Sequence, residues 1–88
     1  MTAPALRFGR RRLYLMRHGR VDYFSDKVLA AGDHRIAVLT QEGRTQALAA
    51  GEALAAITFD LALCSGLPRT RETAELVLSR IPNAPELG

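Results

Sequence analysis

Eighty-eight residues with a formal net charge of +3 and one cysteine, Cys64, make a single small domain at most and exclude an intrachain disulfide framework. No apolar run approaches the roughly 18 residues of a membrane span, so no membrane partner is expected and a reducing, cytoplasmic compartment fits. The charge is uneven: residues 1–20 hold six arginines and no acid, whereas residues 21–88 hold six cations against nine acids.

Residues 1–12 read as a basic, flexible leader. Such a leader can meet nucleic acid or acidic lipid, but Phe8 is its only aromatic residue, which argues against stacking on bases. Its arginines resemble a targeting start, yet only four apolar residues follow before Arg17, too few for a secretory signal.

Leu13-Tyr14-Leu15-Met16 is too short for a helix and lacks polar alternation, which predicts a strand buried on both faces, as in a parallel sheet. The run stops at Arg17-His18-Gly19. That junction places a cation and an imidazole at the carboxyl end of a central strand, where open α/β sheets hold their ligands.

Gly19 to Leu39 has no sustained period and is interrupted by Asp22, Asp26, Gly32 and Asp33. Loops this long are usually functional or disordered. Val21, Tyr23 and Phe24 suit a lid over a pocket, with a flexible insertion as the alternative for its middle.

Thr40 is a good N-cap, with Gln41 and Glu42 in the first turn of a helix. Ala47, Leu48, Gly51, Leu54 and Ala55 form one apolar stripe, while Arg44, Gln46 and Glu52 fall largely off it. The stripe predicts a core helix of about four turns, brought close to the sheet at Gly51.

Leu61-Ala62-Leu63-Cys64, between Asp60 and Ser65-Gly66, predicts a second strand. Strand, helix, strand at these lengths is a right-handed βαβ unit, with both strands parallel and their carboxyl ends on one edge. A last helix starts at Pro68 and runs to about Arg80, burying Leu67, Ala74, Val77, Leu78 and Ile81, and is stopped by Pro82 and Pro85.

One strand end thus delivers Arg17 and His18, the other Ser65, Gly66 and Arg69. Arg69 lies in the first turn of a helix, where the dipole disfavours a cation unless an anion is bound. Guanidinium groups bind phosphate through forked, charge-assisted hydrogen bonds. The alternative for Arg69 is a surface i,i+3 pair with Glu72; Arg71 has its own i,i+4 partner in Glu75. A neutral imidazole beside a phosphate clamp can attack phosphorus and carry it covalently.

Cys64 is a decoy. A thiolate phosphatase loop places five residues between cysteine and arginine, but here four and six precede Arg69 and Arg71, so Cys64 reads as an apolar strand residue. His34 reads as incidental. No spacing suggests a metal site, and no Gly-rich nucleotide loop is present.

Three segments carry a resemblance. Leu15-Met16-Arg17-His18-Gly19, Leu39-Thr40 with Gly43 and Gln46-Ala47, and Ser65-Gly66-Leu67-Pro68-Arg69 with Glu72-Thr73-Ala74 occur in this order over residues 13 to about 80. Together they resemble the histidine phosphatase superfamily, also called phosphoglycerate mutase-like. The resemblance implies an α/β fold, a three-layer sandwich around a mainly parallel sheet, of which residues 13–88 supply the N-terminal βαβα portion. It implies His18 as the phosphorylated nucleophile, Arg17 and Arg69 as the phosphate clamp, and Gly19, Arg20, Tyr23 and Ser65 as pocket or lid. Phosphorylated small molecules are the implied substrates, with no metal or organic cofactor.

The run Arg20-Val21-Asp22-Tyr23-Phe24 departs from the serine, tryptophan and asparagine pattern of glycolytic mutases, which favours a phosphatase over a phosphoglycerate mutase. The family's general acid glutamate and second pocket histidine have no counterpart before Gly88, and no matching motif surrounds Glu86. The chain therefore reads as the N-terminal part of a family member, with an uncovered sheet edge open to self-association. Losing a general acid typically costs about 10² to 10⁴ in rate. A non-catalytic phosphate-binding or regulatory remnant is the alternative function.

Overall fold

The computed structural model describes residues 11–88, so all but two residues of the basic leader lie outside it. Three helices organise the described chain: α1 (Asp26–Ala31), α2 (Gln41–Ala53) and α3 (Pro68–Ser79), with a single 3-10 turn at His34–Ile36 between α1 and α2.

Both long helices begin where their sequence signals place them. The Thr40 hydroxyl accepts from the Gly43 amide at 3.0 Å, closing the first turn of α2. Pro68 opens α3 behind Leu67, which offers no side-chain cap. The two helices pack on each other through a buried cluster of Ala47, Val77 and Ile81, flanked by Leu54, Phe59, Leu76 and Leu78. The helices come close at Gly51, where a Cβ would run into the Val77 carbonyl. The residue expected to bring α2 close to a sheet instead brings it against α3.

The stretch from Gly19 to Leu39 is ordered rather than an unstructured loop. Ser25 caps α1 at the Val28 amide, Gly32 ends it in the left-handed region at φ 64°, and Asp33 caps the following turn. Val28, Ala37 and Leu39 are buried. Short capped pieces of this kind leave no helical period to read, because no piece exceeds two turns.

Neither expected strand forms, and with them the parallel βαβ unit is absent among the described residues. Pairing is confined there to isolated bridges, antiparallel between Val21 and Leu39 and parallel between Ala62 and Leu87. The Gly88 amide donates to the Ala62 carbonyl at 2.9 Å. The first run keeps a period of two: Leu13 and Leu15 are 81% and 85% exposed, Tyr14 and Met16 42% and 48%. Tyr14 sets its ring edge-on to Phe59 at 5.2 Å, so one side of the run meets the helix layer and the other is exposed among the described residues. Leu61 and Leu63 repeat the pattern, exposed between half-buried Ala62 and Cys64. A run that is apolar on both sides becomes a strand when a ladder and two covering layers are present; here one side is covered.

Candidate active site

The turn Arg17–Arg20 is fastened to the two helices through the Gly19 amide and both backbone groups of Arg20. The Gly19 amide donates to the Thr73 hydroxyl at 3.0 Å. The Arg20 amide donates to Gln46 Oε1 at 3.0 Å, and the Arg20 carbonyl accepts from the Thr40 amide at 2.9 Å. Gly19 and Gly43 lie backbone against backbone, since a Cβ on either would strike the other segment's carbonyl. The turn thus sits on the first turn of α2 with no room for a side chain at either contact.

This anchoring fixes the imidazole. His18 Nδ1 lies 2.7 Å from the Gly19 carbonyl, which only accepts, so Nδ1 carries the proton and Nε2 keeps its lone pair in the neutral ring. The Tyr23 hydroxyl stands 3.5 Å from Nε2. The same tyrosine ring carries the Arg69 guanidinium over its face, Cζ 5.5 Å from the centroid. Tyr23 therefore links His18 Nε2 to the Arg69 guanidinium. On its other side it meets the His34 ring edge-on at 6.2 Å, which brings into the surroundings of the site a histidine that the sequence marks as incidental.

Arg69 is the electrostatic anomaly. Its Nε and Nη1 are the buried side-chain nitrogens without a hydrogen-bond partner among the described residues. The i,i+3 alternative does not form. Glu72 instead receives Arg44 Nε at 2.7 Å and the Leu39 amide at 3.3 Å, which commits both its oxygens. The Arg71–Glu75 pair does form, at 3.6 Å. A guanidinium with two unpartnered buried nitrogens at the uncapped N-terminus of a helix has the chemistry to receive an anion.

The remaining expected residues take lesser positions. Arg17 is exposed and lines an open cleft with Met16, His18, Gly19 and Thr70. Arg20 lines the same cleft and pairs with Glu42 at 3.0 Å. Ser65 is exposed and donates to the Thr70 hydroxyl at 2.9 Å, one residue removed from that lining. Phe24, expected in the lid, is exposed. Sequence reasoning passed over Thr73, Gln46 and Glu72 as working residues. The available signal was Thr73, a polar residue in one register with Val77 and Ile81 on the buried face of α3.

The turn that carries His34 depends on acid ionisation. Arg35 grips Asp33 in a two-bonded fork, Nε to Oδ1 and Nη2 to Oδ2, each at 2.9 Å, and its amide adds a bond of 3.0 Å to Oδ1. These bonds, the side-chain fork first, hold the Asp33 carboxyl down at about 2, below its ordinary 3.8. The folded turn thus favours the carboxylate. Its contribution is complete above the ordinary carboxylate range and is lost as pH falls toward 2. A carbon-detected NMR titration should place the Asp33 midpoint near 2, and Arg35→Ala should raise it only part of the way to the ordinary 3.8, because the amide of residue 35 still donates to Oδ1.

Comparisons with known proteins identify the family. Residues 13–87 match the model of the histidine phosphatase superfamily, branch 1. The chain belongs to that superfamily. As a superfamily member it is 41% identical over 68 residues to the adenosylcobalamin/alpha-ribazole phosphatase of Escherichia coli (strain K12), covering 77% of this chain and 32% of that protein. It is 39% identical over 74 residues to the 2,3-bisphosphoglycerate-dependent phosphoglycerate mutase of Bartonella bacilliformis (strain ATCC 35685 / KC583 / Herrer 020/F12,63), covering 82% of this chain and 35% of that protein. The chain thus spans about a third of the length of the curated relatives it matches. No solved structure matches significantly. Among the described residues no helix is long and apolar enough to cross a membrane.

Proposed function

We propose that this histidine phosphatase chain binds the phosphoryl group of a phosphate monoester and takes it onto His18 Nε2, as a phosphatase rather than a mutase. The observation that carries the reading is the bracket made by Tyr23, with an unprotonated ring nitrogen at one end and a buried guanidinium lacking acceptors at the other. A phosphate ester supplies what both ends lack: an electrophilic phosphorus for Nε2 and anionic oxygens for Arg69, with exposed Arg17 closing on the solvent side. In the transfer, the bond from phosphorus to the ester oxygen breaks as the bond to Nε2 forms, and water later returns the phosphoryl group as inorganic phosphate.

The segment Arg20-Val21-Asp22-Tyr23-Phe24 supports hydrolysis over mutase chemistry, since it lacks the serine, tryptophan and asparagine of that pattern and puts an aromatic ring against the nucleophile. The exposed rows of Leu13 with Leu15 and of Leu61 with Leu63 suit the three-layer sandwich expected of the superfamily, in which a sheet is covered on both faces. Free Cys64 suits a reducing, cytoplasmic setting.

Inorganic phosphate and vanadate, titrated into the metal-free chain by calorimetry, test the reading. Binding at one site, lost in Arg69→Ala, is expected, together with release of the phenol from an aryl phosphate. No saturable binding contradicts the proposal, whereas binding without release leaves the non-catalytic phosphate-binding role.

A further inference from the structure

Thr73 is the one polar or charged residue buried as a whole among the described residues, 4% exposed on the face of α3 that meets the His18 turn. Its hydroxyl is saturated. It accepts from the Gly19 amide at 3.0 Å, and its own proton goes to the Arg69 carbonyl at 2.7 Å. A single atom, 54 residues distant in sequence from Gly19, thereby ties the residue after the nucleophile to the backbone of the clamp arginine.

The tie runs onward to the imidazole. Gly19 is held at its amide by Thr73, and its carbonyl is the acceptor that keeps the proton on His18 Nδ1. The neighbouring bonds, Gln46 to the Arg20 amide and Thr40 to the Arg20 carbonyl, hold the turn to α2 rather than to α3. Among the described residues, the Thr73 hydroxyl carries the hydrogen bond that joins the backbone of the turn to the helix that bears Arg69.

We propose that Thr73 is a positioning residue: it sets the tautomer and aim of His18 and the distance from His18 to Arg69. This rests on the phosphohistidine reading for its effect on rate, but not for its effect on the imidazole. A helix that only needed filling at this position would do as well with valine, which has the shape of threonine and no hydroxyl. The hydroxyl is required because a part-buried Gly19 amide without its acceptor turns to find one, and that rotation moves the His18–Gly19 peptide, from which both the ring and the Gly19 carbonyl hang.

Thr73→Val and Thr73→Ser are compared in the 88-residue chain, with helix content checked by circular dichroism. The first readout is nitrogen NMR of the His18 imidazole without ligand: the wild type and Thr73→Ser hold the proton on Nδ1, and Thr73→Val shows a mixture of tautomers. The second is single-turnover labelling by an aryl phosphate, expected to slow roughly 100-fold in Thr73→Val while phosphate affinity changes by less than about threefold, and to recover in Thr73→Ser. Thr73→Val with the wild-type tautomer overturns the proposal, as does an unchanged labelling rate. Absence of label in the wild type itself would defeat the phosphohistidine reading, and the tautomer comparison would still decide the role of Thr73. Thr73→Val that does not fold while Thr73→Ser loses the Nδ1 proton also counts against it.

Discussion

Arg69→Ala should lower single-turnover phosphoryl transfer by roughly 10² to 10⁴, because two charge-assisted hydrogen bonds of about 1.5–3 kcal/mol each disappear and about 1.4 kcal/mol is a factor of ten. Each forked edge of the guanidinium pairs Nη2 with one of the two buried nitrogens that lack a partner among the described residues, Nε or Nη1. Arg69→Lys should not restore the rate, since an ammonium cannot present two parallel donors to one phosphoryl group. Stability should move the other way. In phosphate-free buffer Arg69→Met should be at least as stable as the wild type, because orphaned buried donors cost about 1–3 kcal/mol apiece, offset in part by the lost contact with the Tyr23 ring. Phosphate should then raise the melting temperature of the wild type and leave that of Arg69→Met unchanged. Thermal melts with and without phosphate check both halves.

His18→Ala should separate binding from chemistry. Removal of a covalent nucleophile lowers turnover by several orders of magnitude, roughly 10⁴ to 10⁶. Phosphate affinity should change by less than about tenfold, because the oxygens are gripped by guanidinium donors rather than by the ring. The helical fold should persist, since the His18 side chain is bonded to its own neighbour's carbonyl and to Tyr23, and the anchoring of the turn runs through backbone groups. Calorimetry with phosphate and a burst assay with an aryl phosphate measure the two effects on the same preparation.

The helices were legible because their ends are chemical. Thr40 before Gln41 and Pro68 at the head of α3 are local signals, and the structure starts both helices there. The strands were misread for the opposite reason. Leu13–Met16 and Leu61–Cys64 carry the composition of strands, but a strand is made by neighbours, and the described residues cover one side only. α1 escaped notice because six residues between Ser25 and Gly32 show caps but no period.

At the site, the two expected strand ends led to the expectation of Arg17, His18 and Arg69 together, and the aperiodic stretch after Gly19 to that of Tyr23 as a lid. The sequence did not show how they are held. Thr73, Gln46 and Glu72 work through bonds spanning 26 to 54 residues, which no local pattern encodes. The role of Tyr23 was legible only as a location. That its ring joins His18 Nε2 to Arg69 is a fact of the folded turn.

The phosphoenzyme itself is the most direct measurement. The chain is mixed with a phosphorus-labelled aryl phosphate, whose leaving group departs without protonation, quenched in alkali, and the labelled peptide is sequenced by mass spectrometry. The account predicts one phosphate on the peptide containing His18, stable in alkali, released by acid and absent from His18→Ala. Label that persists in His18→Ala, or a wild-type chain that binds the ester and never becomes labelled, would contradict it.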